Sequence, residues 1–67
     1  MKRFEIEWET DDNEGDYIVL YDEDEAETEF RDIIDDPRTT WATLTEFYIY
    51  GGMCQGDKLL QEYKRTE

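Results

Sequence analysis

Histidine is absent from this chain, and cysteine and proline each occur once. Without histidine no Cys-His zinc site can be built. The imidazole that activates a nucleophilic cysteine is missing too. Cys54 alone rules out a disulfide framework and fits a reducing compartment. Basic residues are scarce, with seven Lys and Arg against twenty Asp and Glu, for a net charge of −13. Long apolar runs are missing as well. None approaches the ~20 residues that span a bilayer. The start, Met1-Lys2-Arg3-Phe4-Glu5, lacks the apolar stretch of a signal peptide, so the expected location is the cytoplasm. Anionic lipid and nucleic-acid phosphate would both repel the net charge, which argues against direct membrane, DNA or RNA binding.

What is present is acid and aromatic. Sixteen of the acids fall between Glu5 and Asp36, with Arg31 the one base among them. The segment from Pro37 to Glu67 has four of each sign and is neutral. The charge is therefore polarised along the chain, which suits a basic partner. A chain of 67 residues makes one small domain, and such a domain buries only about 60% of its unfolded surface. Phe4, Trp8, Tyr17, Tyr21, Phe30, Trp41, Phe47, Tyr48, Tyr50 and Tyr63 supply the core material. At roughly 150–250 Å² each, they argue for a fold against the disorder that the charge alone implies.

Phe4, Ile6 and Trp8 alternate with Glu5, Glu7 and Glu9, the pattern of a half-buried strand over 3–9. Asp11 to Gly15 is a polar turn in which Gly15 is free to take positive φ. Tyr17–Tyr21 is a second strand, more continuously apolar and so expected to be central, paired with the first as a hairpin. Ala26, Phe30, Ile33 and Ile34 form one helical stripe. Asp22 or Asp24 caps the start, and Pro37 stops the helix by pushing Asp36 out of helical geometry. Thr40–Tyr50 reads as a strand, with Phe47 and Ile49 on one face and Leu44, Tyr48 and Tyr50 on the other. Gly51, Gly52 and Gly56 bracket an expected loop holding Met53, Cys54 and Gln55. A last strand follows over Lys58–Lys64, with Leu59 and Tyr63 on one face and Leu60 on the other. The expected fold is α+β, in the order β-β-α-β-β: an antiparallel four-stranded sheet with one helix on one face, in a single domain over 1–67.

Several chemistries fail on spacing. With Gly15 at the sixth position of a calcium-binding EF-hand loop, the first is Thr10 and the twelfth Tyr21, so the ligand pattern is broken. Asp22 to Glu25 offers only loose divalent binding. Nothing marks two carboxyls across a deep cleft for glycosidase chemistry. Cys54 has no base, and acidic surroundings disfavour its thiolate. Gly51-Gly52 lacks the Gly-Lys-Ser/Thr of a phosphate loop. The expectation is a protein without catalytic residues, cofactor or metal.

The acidic surface itself has three readings: solvation, adaptation to high salt, and a surface directed at a partner. Two lysines among the last ten residues and a neutral C-terminal half weigh against salt adaptation. Alternate strand residues lie about 6.6–6.8 Å apart, so Glu5, Glu7 and Glu9 make a row of charge. The pairs Glu23/Glu27 and Glu25/Glu29 add helical charges about 5–6 Å apart. A strand row beside a helix row, forming a single outward patch, would imitate part of a duplex, which carries about one charge per 1.7 Å of axis.

In size, in the acidic stretches Glu5-x-Glu7-x-Glu9 and Asp22-Glu23-Asp24-Glu25, and in its α+β order, the chain resembles the small acidic proteins that phages make against host enzymes. These are anti-restriction DNA mimics, uracil-DNA glycosylase inhibitors and anti-CRISPR proteins. They share no motif, so the resemblance implies a class of function and no residue roles. It implies a non-catalytic inhibitor that occupies the nucleic-acid groove of a basic enzyme in an infected cell. A CRISPR effector, whose channel holds RNA and DNA, is the favoured target over other DNA-processing enzymes. The expected contacts are Glu5, Glu7, Glu9, Asp22, Glu23, Glu25, Glu27, Glu29 and Asp32, with Tyr21 and Tyr48 as aromatic anchors. The alternative is an oligomeric structural or adaptor protein. There a second copy, as in a homodimer, would cover the 40–50 strand, and the acid would serve solubility or salt tolerance.

Overall fold

A computed structural model describes residues 1–66. The chain forms β1 (Lys2–Thr10), β2 (Gly15–Leu20), α1 (Glu23–Asp35), β3 (Thr39–Tyr50) and β4 (Met53–Lys64). The four strands make one antiparallel sheet in the order β2-β1-β3-β4. The fold is α+β, with the helix laid across one face of an open sheet.

The period of two in β1 decides which face the helix covers. Phe4 and Ile6 are buried, and Trp8 packs against the same cluster. Their cross-strand partners place Ile18 and Leu20 of β2 and Ala42 and Leu44 of β3 on that side. Ala26 and Phe30 close the core from the helix, with Ile33 and Ile34 half-buried beside them. Each fully buried large side chain contributes about 1.5–3 kcal/mol. With so few of them the domain depends on every one.

Local signals set the ends of the helix. Asp22 is the N-cap, in extended geometry, and its side chain accepts a hydrogen bond from the Glu25 backbone N–H at 3.2 Å. Asp36 leaves the helix at ψ 119°, as the following Pro37 requires. The buried Thr39 hydroxyl then donates to the Ile33 carbonyl at 2.7 Å, which ties the start of β3 to the last helical turn.

Four expectations are corrected. β2 is an edge strand and not a central one. Only Ile18 and Leu20 reach the core, and Tyr17 and Val19 point to the uncovered face, so an apolar run did not mean two covered faces. The left-handed residue of the first turn is Asn13, at φ 63°, while Gly15 already belongs to β2. Asparagine tolerates that region better than any residue but glycine. The second hairpin turns on Gly51 and Gly52 alone, at φ 62° and 78°, as a two-residue turn with both centres at positive φ demands. Met53, Cys54, Gln55 and Gly56 are strand and not loop. Finally, Leu59 and Tyr63 lie on opposite faces. Leu44 pairs with Gln61 but Thr45 pairs with Leu59, so the ladder skips Leu60 in a β-bulge. The bulge turns Tyr63 and Leu60 toward the core and leaves Leu59 outside at 53% exposure.

β4 is the long edge of the sheet. Its two register shifts and its Gly56-Asp57-Lys58 stretch interrupt the flat template on which another strand could add. The molecule measures 42 × 21 × 16 Å.

Candidate protein-binding surfaces

Two acidic surfaces lie on opposite sides of the sheet. Glu5, Glu7 and Glu9 pair with Val19, Tyr17 and Gly15 on β2 and with Thr45, Thr43 and Trp41 on β3. All belong to the face the helix does not cover. The helix acids lie on the other side of the sheet. The expected single patch, with a strand row beside a helix row, is therefore not what the chain builds. The cause is the period of two: Phe4, Ile6 and Trp8 face the helix, so the glutamates between them must face away from it.

The helical surface is the denser of the two. The buried stripe through Ala26 and Phe30 turns Asp24, Thr28 and Asp35 to the crest of the helix, at 3.6 residues per turn. Glu25, Glu29 and Asp32 form an exposed row on one flank, and Glu23 and Glu27 lie on the other, with Glu27 half-buried. Leu20, Asp22, Asp24, Glu25, Thr28 and Glu29 line an open cleft of about 410 Å³ at the start of the helix. Asp22 is thus both cap and wall. Tyr21 stands at the β2–α1 junction with 63% of its surface exposed. Tyr48 lies on the helix side of the sheet, paired with Lys2 at the start of β1, with the Lys2 ammonium 6.0 Å from its ring. Sequence reasoning singled out Asp22, Glu23, Glu25, Glu27, Glu29 and Asp32 here but passed over Asp24 and Asp35. A helical projection from Ala26 and Phe30 would have placed both on the crest.

Four of the seven cations pair outside the helix body, while Arg31 lies within α1 among its acids. Among the described residues, Arg3 pairs with Glu5 at 3.0 Å, Lys2 with Glu46 at 3.5 Å, Arg38 with Asp36 at 3.2 Å and Arg65 with Asp11 at 3.5 Å. None of these reaches the helix body, and none of the acids from Glu23 to Asp35 makes an ion pair among the described residues. Two of the paired acids, Asp11 and Asp36, lie at the end of the sheet where the first turn meets the helix C-terminus. There the Arg38 side chain, hydrogen-bonded to Asp36, holds that carboxyl below the ordinary range. Asp12 is lowered mainly by the Thr10 hydroxyl, which donates to it.

The uncovered sheet face mixes charge with rings. Glu5 is neutralised by Arg3, whose guanidinium also lies 5.3 Å from the Phe47 ring. Glu7 and Glu9 have no ion pair among the described residues. With Gly15, Asp16, Tyr17, Trp8 and Trp41 they line a cleft of about 280 Å³.

Cys54 is exposed on β4, and its thiol lies 3.6 Å from the Gly56 carbonyl. Among the described residues no three His, Cys, Asp or Glu side chains gather to hold a metal ion, and no helix is long and apolar enough to cross a membrane. Comparison with protein-family models, with curated proteins and with solved structures returns no match.

Proposed function

We propose that the protein is a non-catalytic inhibitor. It presents the acidic surface of α1 to a basic nucleic-acid-binding protein and excludes its substrate. A CRISPR effector is the favoured target, with other DNA-processing enzymes behind it. One observation carries this reading. The helix holds its exposed acids without a single ion pair among the described residues, although Arg31 lies among them and four other cations pair outside the helix body. Like charges at i and i+4, as in Glu23/Glu27 and Glu25/Glu29, destabilise a helix by about 0.2–0.5 kcal/mol per pair. Asp32 and Asp35 add acid near the negative end of the helix dipole. A small domain with a small core carries this penalty on one side of the molecule. A cationic groove would relieve it on binding, and that supplies both attraction and fast association.

The dimensions support the same reading. A duplex 42 Å long carries about 25 phosphate charges, so the net −13 of this chain is roughly half that of a duplex of its own length. Asp22, Glu23, Asp24, Glu25, Glu29 and Asp32 are the proposed contacts, with Tyr21 and Tyr48 as anchors. The test is displacement of labelled DNA from a purified RNA-loaded CRISPR effector by the full chain. Release that weakens as salt rises supports the proposal. DNA binding unaffected by a large excess of the protein at low salt contradicts it.

One observation favours the oligomeric alternative. Tyr48, Tyr50 and Met53 are 51%, 75% and 67% exposed on the helix side of the second hairpin, beyond the cover of the helix. A second copy seated there would bury them, and light scattering would report a dimer.

A further inference from the structure

The cleft on the open sheet face has a different character from the helix. Tyr17 stands directly across from Glu7, and Trp41 directly across from Glu9, on the two strands that flank β1. The phenol and the indole therefore bound the two carboxylates from opposite sides. Across the third position, opposite Glu9 on β2, is Gly15, which has no side chain to fill the gap. The cleft of about 280 Å³ opens there. Of the three glutamates in the row, Glu5 is already satisfied by Arg3, but Glu7 and Glu9 take no cation among the described residues. Tyr17 is 61% exposed on a six-residue edge strand, where a partner can reach it.

We infer that this open sheet face docks a basic protein or peptide segment, and that an arginine side chain of that partner enters between Tyr17 and Trp41 onto Glu7 and Glu9. The chemistry selects arginine. A guanidinium is planar, stacks on aromatic faces and donates two parallel hydrogen bonds to a carboxylate. A lysine ammonium gains the charge but neither the stacking nor the fork. Among the described residues no three His, Cys, Asp or Glu side chains gather there to hold a metal ion. Nucleic acid would bring phosphate against glutamate. This surface lies across the sheet from α1, so the inference stands apart from the inhibitor reading and can fail independently of it.

The experiment is an NMR titration of the isotope-labelled full chain with hexa-arginine and, separately, with hexa-lysine. The indole N–H of Trp41 and the backbone amides of Glu7, Glu9 and Tyr17 are expected to move with hexa-arginine. Affinity for it should exceed that for hexa-lysine by about threefold or more. A Glu7→Gln/Glu9→Gln variant should erase that preference, and so should Tyr17→Ser, which removes a ring without touching the core. A Glu25→Gln/Glu29→Gln variant should weaken both peptides alike and leave the ratio intact. Equal affinity for the two peptides overturns the inference, as do shifts confined to the helix. Movement of the Trp41 resonances with protein concentration alone also overturns it, since a second copy would then cover the face.

Discussion

The Thr39 hydroxyl and the Ile33 carbonyl, 2.7 Å apart, join the helix to the sheet at the one polar residue that is buried among the described residues. The Ile33 carbonyl also accepts from the Asp36 backbone N–H at 3.2 Å, so it keeps a partner if the hydroxyl is lost. Thr39→Val, close in shape, should therefore cost a single hydrogen bond, about 0.5–1.5 kcal/mol. In a domain of this size that lowers the melting temperature by roughly 4–8 °C per kcal/mol. Thermal unfolding by circular dichroism checks it, and an unchanged midpoint would show that the contact contributes nothing.

Asp22 separates capping from charge. Asparagine caps about as well as aspartate, whereas alanine does not cap at all. Asp22→Ala should lose about 1 kcal/mol, less whatever repulsion is relieved, while Asp22→Asn should be as stable as the natural chain or more so. Urea midpoints of the two variants settle the comparison. If both fall equally, the charge of Asp22 and not its hydrogen bond to Glu25 matters.

Salt should stabilise the free protein. The sixteen acids between Glu5 and Asp36 repel one another across a thin molecule, and most lie in reach of counterions. Raising ionic strength to 0.15 M brings the screening length to about 8 Å, near the spacing of neighbouring charges on both surfaces. The melting temperature should rise with moderate NaCl. The four ion pairs lose strength in the same range, but such exposed pairs contribute little. A flat or falling melting temperature would count against repulsion as the dominant charge effect.

Acid should act on the Asp36–Arg38 contact in the opposite sense. The folded chain holds the Asp36 carboxyl below its ordinary value of 3.8, through hydrogen bonds from Arg38. A depressed carboxyl adds stability above its ordinary value and loses it as pH falls through the folded value. Asp36→Asn should therefore be less stable than the natural chain near neutrality. The gap should close as pH drops below the ordinary value. Urea midpoints at several pH values test the sign.

Much of the fold could be read from residues because neighbouring signals agreed. The alternation from Phe4 to Glu9, the stripe from Ala26 to Ile34 and the block at Pro37 each had one structural solution. The errors arose where a local pattern had two. Ile18-Val19-Leu20 suits a central strand or an edge whose outer face is bare, and only the pairing of β1 with β3 decides between them. The strand β4 reads differently on the two sides of Leu60, because a bulge is set by the partner strand and leaves no mark of its own in composition. The glycine at position 56 looks like a loop residue but lies within a ladder. The site shared this limit. Each acidic row was visible by itself, yet the relation between them followed from the helix choosing the Phe4 face of the sheet.

The most direct test of a partner-directed helix is a pair of readings on one variant, Asp24→Asn/Glu25→Gln/Glu29→Gln/Asp32→Asn. The account predicts that it melts at or above the natural chain, because like-charge neighbours are relieved, and that it no longer displaces DNA from the effector. A variant that displaces DNA as well as the natural chain would contradict the claim that these carboxylates are kept for a cationic groove.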